Sequence, residues 1–427
     1  MIGRILSGPL RTSAYICDAC QNSVPPWRTA RIVTTRLLSS HASSSTQSPP
    51  APQFSQAQSR QRRDIVLPSK TRPLGQRSLN IRSYSTTPPP IPSHSGAAPL
   101  SHRRLISLSG PDAAKFLQGL ITNNVDQARD TSFYAAFLDA RGRVLWDVFI
   151  WTWPELIASK EHWACYIEVD EEEADALKKH LKRHKLRSKI KIEDVEKDGK
   201  DGVRIWAAWG SVVQKVNQNA IASLSDPRAP DGYLSRYLVP ASEEAIAPEV
   251  ETVDVQEYHL QRYRYGIPEG QQEIPRETAL PMECNIDLSR GIDFKKGCYV
   301  GQELTIRTKH TGVVRKRILP VLLDDSTTSS ALPEQGADIK QLDENGNIKK
   351  GRAAGKFISG IGHVGLASCR LENMTCMKIS AEGGTWKPGL EFGVENGNGD
   401  VVKVKPVLHD WFVLRERQLW DKNRTRI

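Results

Sequence analysis

The sequence predicts a mixed α+β protein that ends in a small β-rich domain of barrel-like form, and two observations lead to that prediction. Helical and strand patterns follow one another between residues 101 and 310. Residues 311–427 instead contain short alternating strands separated by turns rich in glycine and asparagine. At 427 residues the chain is long enough for two or three domains.

Several segments of the first region show the periodicity of single elements. Residues 105–108 are apolar and lead into a Gly-Pro turn, after which apolar residues recur at helical spacing over residues 113–121. Two β-prone runs flank the stretch DARGR, in which Gly142 permits a tight hairpin turn. Residues 171–183 begin with acids and end with bases, as expected of a solvent-exposed amphipathic helix. Asp254 is expected to cap the N-terminus of a further helix.

The positive charge of the chain is confined to its first hundred residues. The formal charge is +10, from 59 basic and 49 acidic side chains. Residues 1–100 hold 12 of the bases and 2 of the acids, so the remainder carries 47 of each and is neutral overall. Residues 101–427 are neutral and have no basic, aromatic-rich pattern, which argues against direct binding to nucleic acid. The sequence contains no apolar run as long as a membrane span.

The N-terminal segment has the composition of a mitochondrial presequence. It is rich in serine, arginine and proline, and the run WRTARIVTTRLL can form a basic amphipathic helix. Arg82 lies two residues before Tyr84 in IRSYSTT, which looks like a matrix-peptidase cleavage site. We therefore expect residues 1–84 to be a presequence, and a mature protein in the mitochondrial matrix. The Pro- and Ser-rich residues 85–100 are expected to be an unstructured leader.

One of the seven cysteines lies in a motif that suggests chemistry. The cysteines are Cys17, Cys20, Cys165, Cys284, Cys298, Cys369 and Cys376. Cys298 follows two lysines and a glycine in IDFKKGCYVGQE, where nearby ammonium groups and a helix expected to begin near Gly301 favour the thiolate. On residue chemistry alone, a reactive thiol and a small packed hydrophobe are equally consistent with this motif. A single cysteine cannot hold an iron–sulfur cluster, which normally needs four thiolates, so any such contact would be transient or shared with a partner.

Other motifs carry weaker signals. The stretch GIGHVG spells G-x-G-x-x-G, but it lies among short strands, so a tight loop between strands is a better interpretation than a dinucleotide site. The pair in CDAC has metal-ligand spacing but stands alone within the expected presequence. Asp147, Arg262 and Glu283 are charges among apolar neighbours, and each one alone is a weak indication of a site.

Taken together, these stretches resemble the YgfZ-type folate-binding proteins, a family related to the glycine-cleavage T-protein (aminomethyltransferase). The sequence matches that family's K-G-C-[FY]-x-G-Q-E motif from Lys296 to Glu303 without a departure. Further blocks follow in the family's order: LSGPDAAKFLQGLITNNV, DARGRVLWDVFI, DPRAPDGYLSRYL, RYGIPEG, PMECNID and GHVGLASCR. With its presequence, the chain is similar to the mitochondrial branch of the family, which acts in iron–sulfur cluster assembly.

The resemblance implies a fold and a cofactor. Residues 101–310 would form a T-protein-like ring of α+β folate-binding modules, with tetrahydrofolate in the central channel. Residues 311–427 would form the C-terminal β-barrel domain. No stably bound metal is implied.

The resemblance also implies roles for individual residues. Cys298 would be the functional thiol, and Asp147 would correspond to the catalytic aspartate of the T-protein relatives. Arg262 and Glu283 would line the folate channel. The motif residues beside the thiol are Lys296, Gly297, Tyr299, Gly301, Gln302 and Glu303.

The function implied by the resemblance is assembly of [4Fe–4S] clusters on client enzymes, namely aconitase, lipoate synthase and biotin synthase, together with an A-type scaffold protein. Two alternatives stay open. Tetrahydrofolate-dependent aminomethyl transfer would make Asp147 the central residue, although Trp146 here replaces the acid that usually precedes that aspartate. An RNA-associated role, suggested by bacterial relatives that affect tRNA thiomodification, is disfavoured by the neutral charge of residues 101–427.

Overall fold

The computed structural model describes residues 95–199, 201–216, 220–241, 250, 252–324, 332–380 and 383–424, with the backbone alone for 421–424. The expected presequence, with its CDAC pair, lies outside these residues.

The strands are β1 (Gly96–Pro99), β2 (Arg103–Ser109), β3 (Phe133–Leu138), β4 (Val144–Trp151), β5 (Ala164–Asp170), β6 (Lys191–Asp194), β7 (Val203–Trp209), β8 (Ala222–Ser225), β9 (Leu234–Pro240), β10 (Lys316–Asp324), β11 (Asp338–Gln341), β12 (Gly355–Ile361), β13 (Val364–Arg370), β14 (Phe392–Glu395) and β15 (Val401–Pro406).

The α-helices are mostly short and connect these strands. They are α1 (Ala113–Gln118), α2 (Pro154–Lys160), α3 (Ala174–Lys185), α4 (Val213–Val216), α5 (Val255–Arg264), α6 (Gly270–Glu273), α7 (Gln302–Thr311), α8 (Leu371–Met374) and α9 (Asp410–Arg424), with 3-10 turns at Glu171–Glu173 and Gly210–Val212. The side chain of Asp254 accepts a hydrogen bond from the amide of Gln256 and caps α5, as the sequence predicts.

The first sheet has five antiparallel strands in the order β3-β4-β5-β2-β6. Strand β4 is buried along its whole length because both faces of the sheet are covered. One face packs against α1 and α3 through residues such as Leu117 and Leu177, and the other contributes Phe149 and Trp151 to a central core. The hairpin predicted around DARGR joins β3 to β4, with Gly142 at a φ of 79°.

The second sheet has four antiparallel strands in the order β1-β7-β9-β8. Its inner face joins the same central core through Ile205 and Leu238. The expectation that residues 85–100 are unstructured is wrong for the last of them, because β1 pairs with β7 from Gly96 to Pro99. The small side chains of GAAP allow a close approach to β7, and a proline is tolerated at the end of an edge strand.

The barrel is the third sheet, closed in the order β10-β13-β12-β11-β14-β15. Its interior is filled by apolar side chains, among them Leu319, Phe357 and Val404. The motif GIGHVG forms the tight turn between β12 and β13, as the sequence predicts, with Gly362 at a φ of 55°. The α+β class and the C-terminal β-barrel are therefore both confirmed.

Candidate functional site

Cys298 lies in an irregular loop that leads into α7. Its side chain is exposed to solvent, whereas the next residue, Tyr299, is 6 % exposed. The sequence left a reactive thiol and a buried small hydrophobe as equal alternatives, and the exposure favours the reactive thiol.

The loop is anchored on the N-terminal side of the thiol by Lys296. The ammonium group of this lysine donates hydrogen bonds to the carbonyl oxygens of Gln118, Ile121 and Asn123 at 2.8, 2.7 and 2.8 Å. Burial lowers the pKa of Lys296 to about 7. The three carbonyl acceptors act in the opposite direction, because they match the three N–H donors of the charged ammonium group. The lysine therefore fixes the position of the loop, a role that its charge alone did not indicate.

The loop is anchored on the C-terminal side by hydrogen bonds from its backbone amides. The amide of Val300 donates to the carbonyl of Gly119 at 3.1 Å. The side-chain oxygen of Gln302, at the start of α7, accepts from the amide of Tyr299 at 3.2 Å. Gly301 precedes the helix at a φ of 80°, so the helix expected near this glycine is present. Because both sides of the loop are held, the thiol has a defined position at the surface.

The other described cysteines lie in different environments. Cys165, Cys284 and Cys369 are buried free thiols, and Cys376 is half-buried. Burial raises the pKa of all four, that of Cys369 to about 12. Among the five cysteines that the structure describes, Cys298 is the one with an exposed side chain.

A buried cluster of ion pairs lies where the five-stranded sheet meets the four-stranded sheet. Its arginines and carboxylates, each at most 5 % exposed, are Arg103, Arg228, Arg236, Arg262, Glu168, Asp226, Glu269 and Glu273. One oxygen of Glu269 accepts hydrogen bonds from Arg228 at 2.9 Å, from Arg236 at 2.7 Å and from Tyr258 at 2.8 Å. Burial alone would raise the pKa of Glu269, but Arg236 and Arg228 hold it well below its usual range. Of these eight residues, Arg262 alone stood out in the sequence as a candidate site residue.

Asp147 projects from β4 at the edge of this cluster. It is 1 % exposed and accepts hydrogen bonds from the amide of Gly270 at 3.0 Å and from the hydroxyl of Tyr134 at 3.3 Å. Burial raises the pKa of Asp147 to about 6, although the nearby Arg103 acts in the opposite direction. A carboxyl group with this pKa can accept or release a proton near neutral pH.

Arg262 and Glu283 lie in different surroundings. The guanidinium of Arg262 is 1 % exposed and is held by both carboxylate oxygens of Glu273, at 2.8 and 3.0 Å, and by the carbonyl of Ile267. Glu283 pairs with Lys316 at 3.1 Å and lines a cavity of about 360 Å³ between α7 and the barrel. The structure thus brings Arg262 into the cluster near Asp147, while Glu283 faces a separate cavity.

Among the residues that the structure describes, no three histidine, cysteine, aspartate or glutamate side chains are grouped as they are around a metal ion. No helix among them is both long and apolar enough to cross a bilayer.

Comparison with known proteins identifies relatives along most of the chain. Residues 315–413 match the family described as the C-terminal β-barrel domain of CAF17. The chain is 53 % identical over 375 residues to a protein of Phaeosphaeria nodorum named "Iron-sulfur cluster assembly factor IBA57 homolog, mitochondrial", with 84 % of this chain and 91 % of that protein covered. A Neosartorya fischeri protein of the same name is 42 % identical over 384 residues, covering 77 % of this chain and 83 % of the relative. A Neurospora crassa protein, again of that name, is 41 % identical over 373 residues, covering 78 % of this chain and 82 % of the relative.

A solved structure shares the fold at low sequence identity. The crystal structure of the glycine cleavage system aminomethyltransferase T from Bartonella henselae matches with a TM-score of 0.54 at 15 % identity, covering 75 % of this chain and 87 % of that one. This similarity concerns the fold alone, and it confirms the T-protein-like architecture that the sequence resemblance implies.

Proposed function

The chain belongs to the IBA57 family of mitochondrial iron–sulfur cluster assembly factors, and we propose that it takes part in cluster assembly through the thiol of Cys298. The observation that carries this proposal is the exposure of that thiol on a loop anchored at both sides. The cluster is cargo in this scheme and does not reside permanently in the chain. The site of action is the mitochondrial matrix.

The chemical step is an exchange of ligands at iron. The sulfur of Cys298 forms a bond to an iron atom of a [2Fe–2S] cluster on an A-type scaffold protein, one scaffold thiolate leaves that iron, and the proton of the Cys298 thiol passes to the thiolate that leaves. One thiolate supplies one of the four protein ligands that a cluster normally needs, so the scaffold keeps the others. Joining two [2Fe–2S]²⁺ clusters into one [4Fe–4S]²⁺ cluster consumes two electrons, which a ferredoxin-type electron donor would supply. The clients would be aconitase, lipoate synthase and biotin synthase.

The test is to mix the mature protein with a [2Fe–2S]-loaded A-type scaffold and an electron donor, and to follow the cluster by absorption and Mössbauer spectroscopy. We expect the wild type to promote [4Fe–4S] formation and Cys298→Ser to lose this effect, because a serine hydroxyl is a far weaker ligand for iron. Cys376→Ser is the matched control, since it removes a half-buried thiol of the barrel. Undiminished conversion by Cys298→Ser would contradict the proposal.

We further propose that tetrahydrofolate binds at the centre of the two sheets, beside Asp147. The chemistry of Asp147 supports this proposal: among the described residues, each of its carboxylate oxygens accepts one hydrogen bond, so each can accept another from the amino and ring N–H groups of a pteridine. Arg262, held by Glu273, would position this region rather than contact the ligand. When bound, the cofactor would supply the capacity to carry a one-carbon unit.

Binding of tetrahydrofolate can be measured by quenching of tryptophan fluorescence with 5-formyltetrahydrofolate, a stable folate. We expect Asp147→Asn to weaken this binding at least tenfold, because the amide replaces one acceptor oxygen by a donor. Glu283→Gln is the control, since Glu283 lies in the cavity between α7 and the barrel and not beside Asp147. Equal affinities for the wild type and Asp147→Asn would contradict a pteridine site at this residue.

A further inference from the structure

A groove crosses the junction between α7 and the barrel. Its larger part is the cavity of about 360 Å³, whose walls include Met282, Leu304 and Val313. A second cavity, of about 220 Å³, continues along the barrel wall past Asn373 and Phe392. We call these two cavities together the junction groove.

The two cavities adjoin each other, because two arginines line both of them. Arg352, before β12, and Arg370, at the end of β13, line both of them. An elongated groove of two linked cavities fits an extended segment of polypeptide better than it fits a compact small molecule.

The charge of the junction groove is strongly positive. Arg315, Arg352 and Arg370 converge on it from three separate segments of the chain. They are near enough to one another that, after burial, the charges of Arg352 and Arg315 further lower the pKa of Arg370. Within the described part of the chain, none of these three arginines forms an ion pair.

The acidic side chains at the groove do not balance this charge. Glu283 is paired with Lys316 at 3.1 Å, so the two cancel. Glu372, which lies near Arg315, has both carboxylate oxygens engaged by the hydroxyl of Ser380. The charge of Glu372 offsets one of the three arginines, and Arg370 also donates from Nε to the carbonyl of Ala353 at 3.1 Å. The groove keeps a net positive charge, in a protein whose residues 101–427 are neutral overall, and its guanidinium groups have further N–H donors for an anionic partner.

The junction groove is close to the reactive thiol along the chain and in space. Leu304, Thr305 and Thr308 of α7 line it, and the Cys298 loop leads directly into the first turn of the same helix. With a rise of 1.5 Å per residue, Thr308 lies only about 10 Å along the axis from the start of α7. The loop also contacts the groove wall through Tyr299, whose hydroxyl lies near Thr305.

We propose that the junction groove binds an acidic segment of the protein that carries the cluster, with carboxylates against the three arginines and an apolar side chain beside Met282 and Val313. This inference rests on the proposed function and adds to it the surface on which the partner docks. Docking here would hold the partner within reach of Cys298, because α7 joins the two places. The positive charge would also speed the encounter at low salt.

The test uses the mature protein and a [2Fe–2S]-loaded A-type scaffold, with the Kd measured by titration calorimetry at 50 and 300 mM NaCl. We expect the double variant Arg315→Glu with Arg352→Glu to weaken binding about tenfold or more at 50 mM, and to lose most of the salt dependence. The variant Lys179→Glu with Lys182→Glu changes the net charge equally on the exposed face of α3 and should bind as the wild type does. Thermal unfolding of each variant checks that the fold is intact.

The outcomes separate this inference from the proposed function. If the scaffold binds and the groove variant binds equally well, the docking site is wrong while the role of Cys298 is untouched. If both double variants weaken binding equally, the effect is one of net charge, and the groove is excluded. If the wild type does not bind the scaffold at all, both the docking site and the choice of partner are wrong. A weakened groove variant should also need more scaffold to reach half of its maximal conversion rate.

Discussion

The α-carbon of Gly301 packs against the backbone carbonyl of Asp139, so the turn of the β3–β4 hairpin supports the start of α7. A Cβ on Gly301 would collide with that carbonyl oxygen and would lie 2.8 Å from the Cβ of Leu138. The same added Cβ would lie 3.2 Å from the α-carbon of Gly142, which belongs to the same hairpin turn. The Cys298 loop therefore depends on Gly301 both for its positive φ and for the close tertiary contact with the hairpin turn.

This contact predicts that Gly301→Ala destabilises the protein. The φ of 80° disfavours any residue with a Cβ, and the collision with Asp139 adds to that cost. We expect a loss of about 2 kcal/mol or more in the free energy of unfolding, measured by urea denaturation. Gly297→Ala is the control beside the same thiol, since nothing lies within 4 Å of a Cβ at that position. Equal stability of the two variants would be inconsistent with this role of Gly301.

The anchoring of Lys296 predicts that Lys296→Met loosens the loop. Methionine has a similar length but no donor, so the carbonyls of Gln118, Ile121 and Asn123 lose their partner. We expect a cost of about 1–3 kcal/mol in unfolding free energy and faster hydrogen exchange in the loop. Lys295→Met, at the exposed neighbouring lysine, should leave both quantities unchanged. Faster exchange in both variants would show that the anchor is not specific to Lys296.

The exposure of Cys298 predicts that native thiols differ in reactivity. We expect iodoacetamide to alkylate Cys298 fastest among the five described cysteines, because the three fully buried thiols are shielded and their pKa values are raised. Peptide mapping by mass spectrometry after short exposure measures the order, and urea-unfolded protein is the control in which all sites react. Preferential labelling of Cys165 or Cys369 in the native state would rule out this arrangement.

The raised pKa of Asp147 predicts a pH dependence of stability. With a pKa of about 6 in the folded state and about 3.9 in the unfolded state, the folded protein binds more protons between these values. The contribution of Asp147 to the free energy of unfolding therefore falls as the pH rises from 4 to 6, by about 3 kcal/mol in total. Asp147→Asn removes this pH-dependent contribution. The free energy of unfolding of the variant relative to wild type, measured by urea denaturation, should therefore increase from about pH 4 to about pH 6.

Asp139→Asn provides a control of opposite sign. Slight burial would raise the pKa of Asp139, but hydrogen bonds from Arg143 and Arg141 hold it below its usual value. That carboxylate stabilises the folded state above its unfolded pKa and loses this effect as the pH falls. The stability of Asp139→Asn relative to wild type should therefore decrease as the pH rises. A pH-independent difference for Asp147→Asn would contradict the burial of a titrating carboxyl group at that position.

The buried ion cluster predicts a large effect of Glu269→Gln. Removing this charge leaves the guanidinium groups of Arg228 and Arg236 buried without their shared carboxylate. We expect a cost of about 3–5 kcal/mol in unfolding free energy, measured by chemical denaturation. Glu391→Gln breaks an exposed pair with Lys403 and should cost less than about 1 kcal/mol. Similar small losses in the two variants would mean that the cluster is not a desolvated network.

The sequence predicted the elements whose signals are local. The hairpin at Gly142, the cap at Asp254 and the turn in GIGHVG follow from turn and cap chemistry within a few residues. Strand β1 was missed because its composition is that of a linker, and its pairing partner β7 lies about a hundred residues away. Arg236 was missed as well, although a charge within the apolar strand β9 was a signal that could have found it.

The sequence by itself determined the family motif around Cys298, the classes of the elements and the neutral charge of the chain beyond residue 100, because each of these resides in the order of residues. The tertiary structure decided that the thiol is exposed, that Lys296 holds the loop, and that arginines from β2, β9 and α5 meet carboxylates from β5 and α6. Burial and ion pairing between distant segments depend on how the sheets pack, and no short stretch of sequence carries that information.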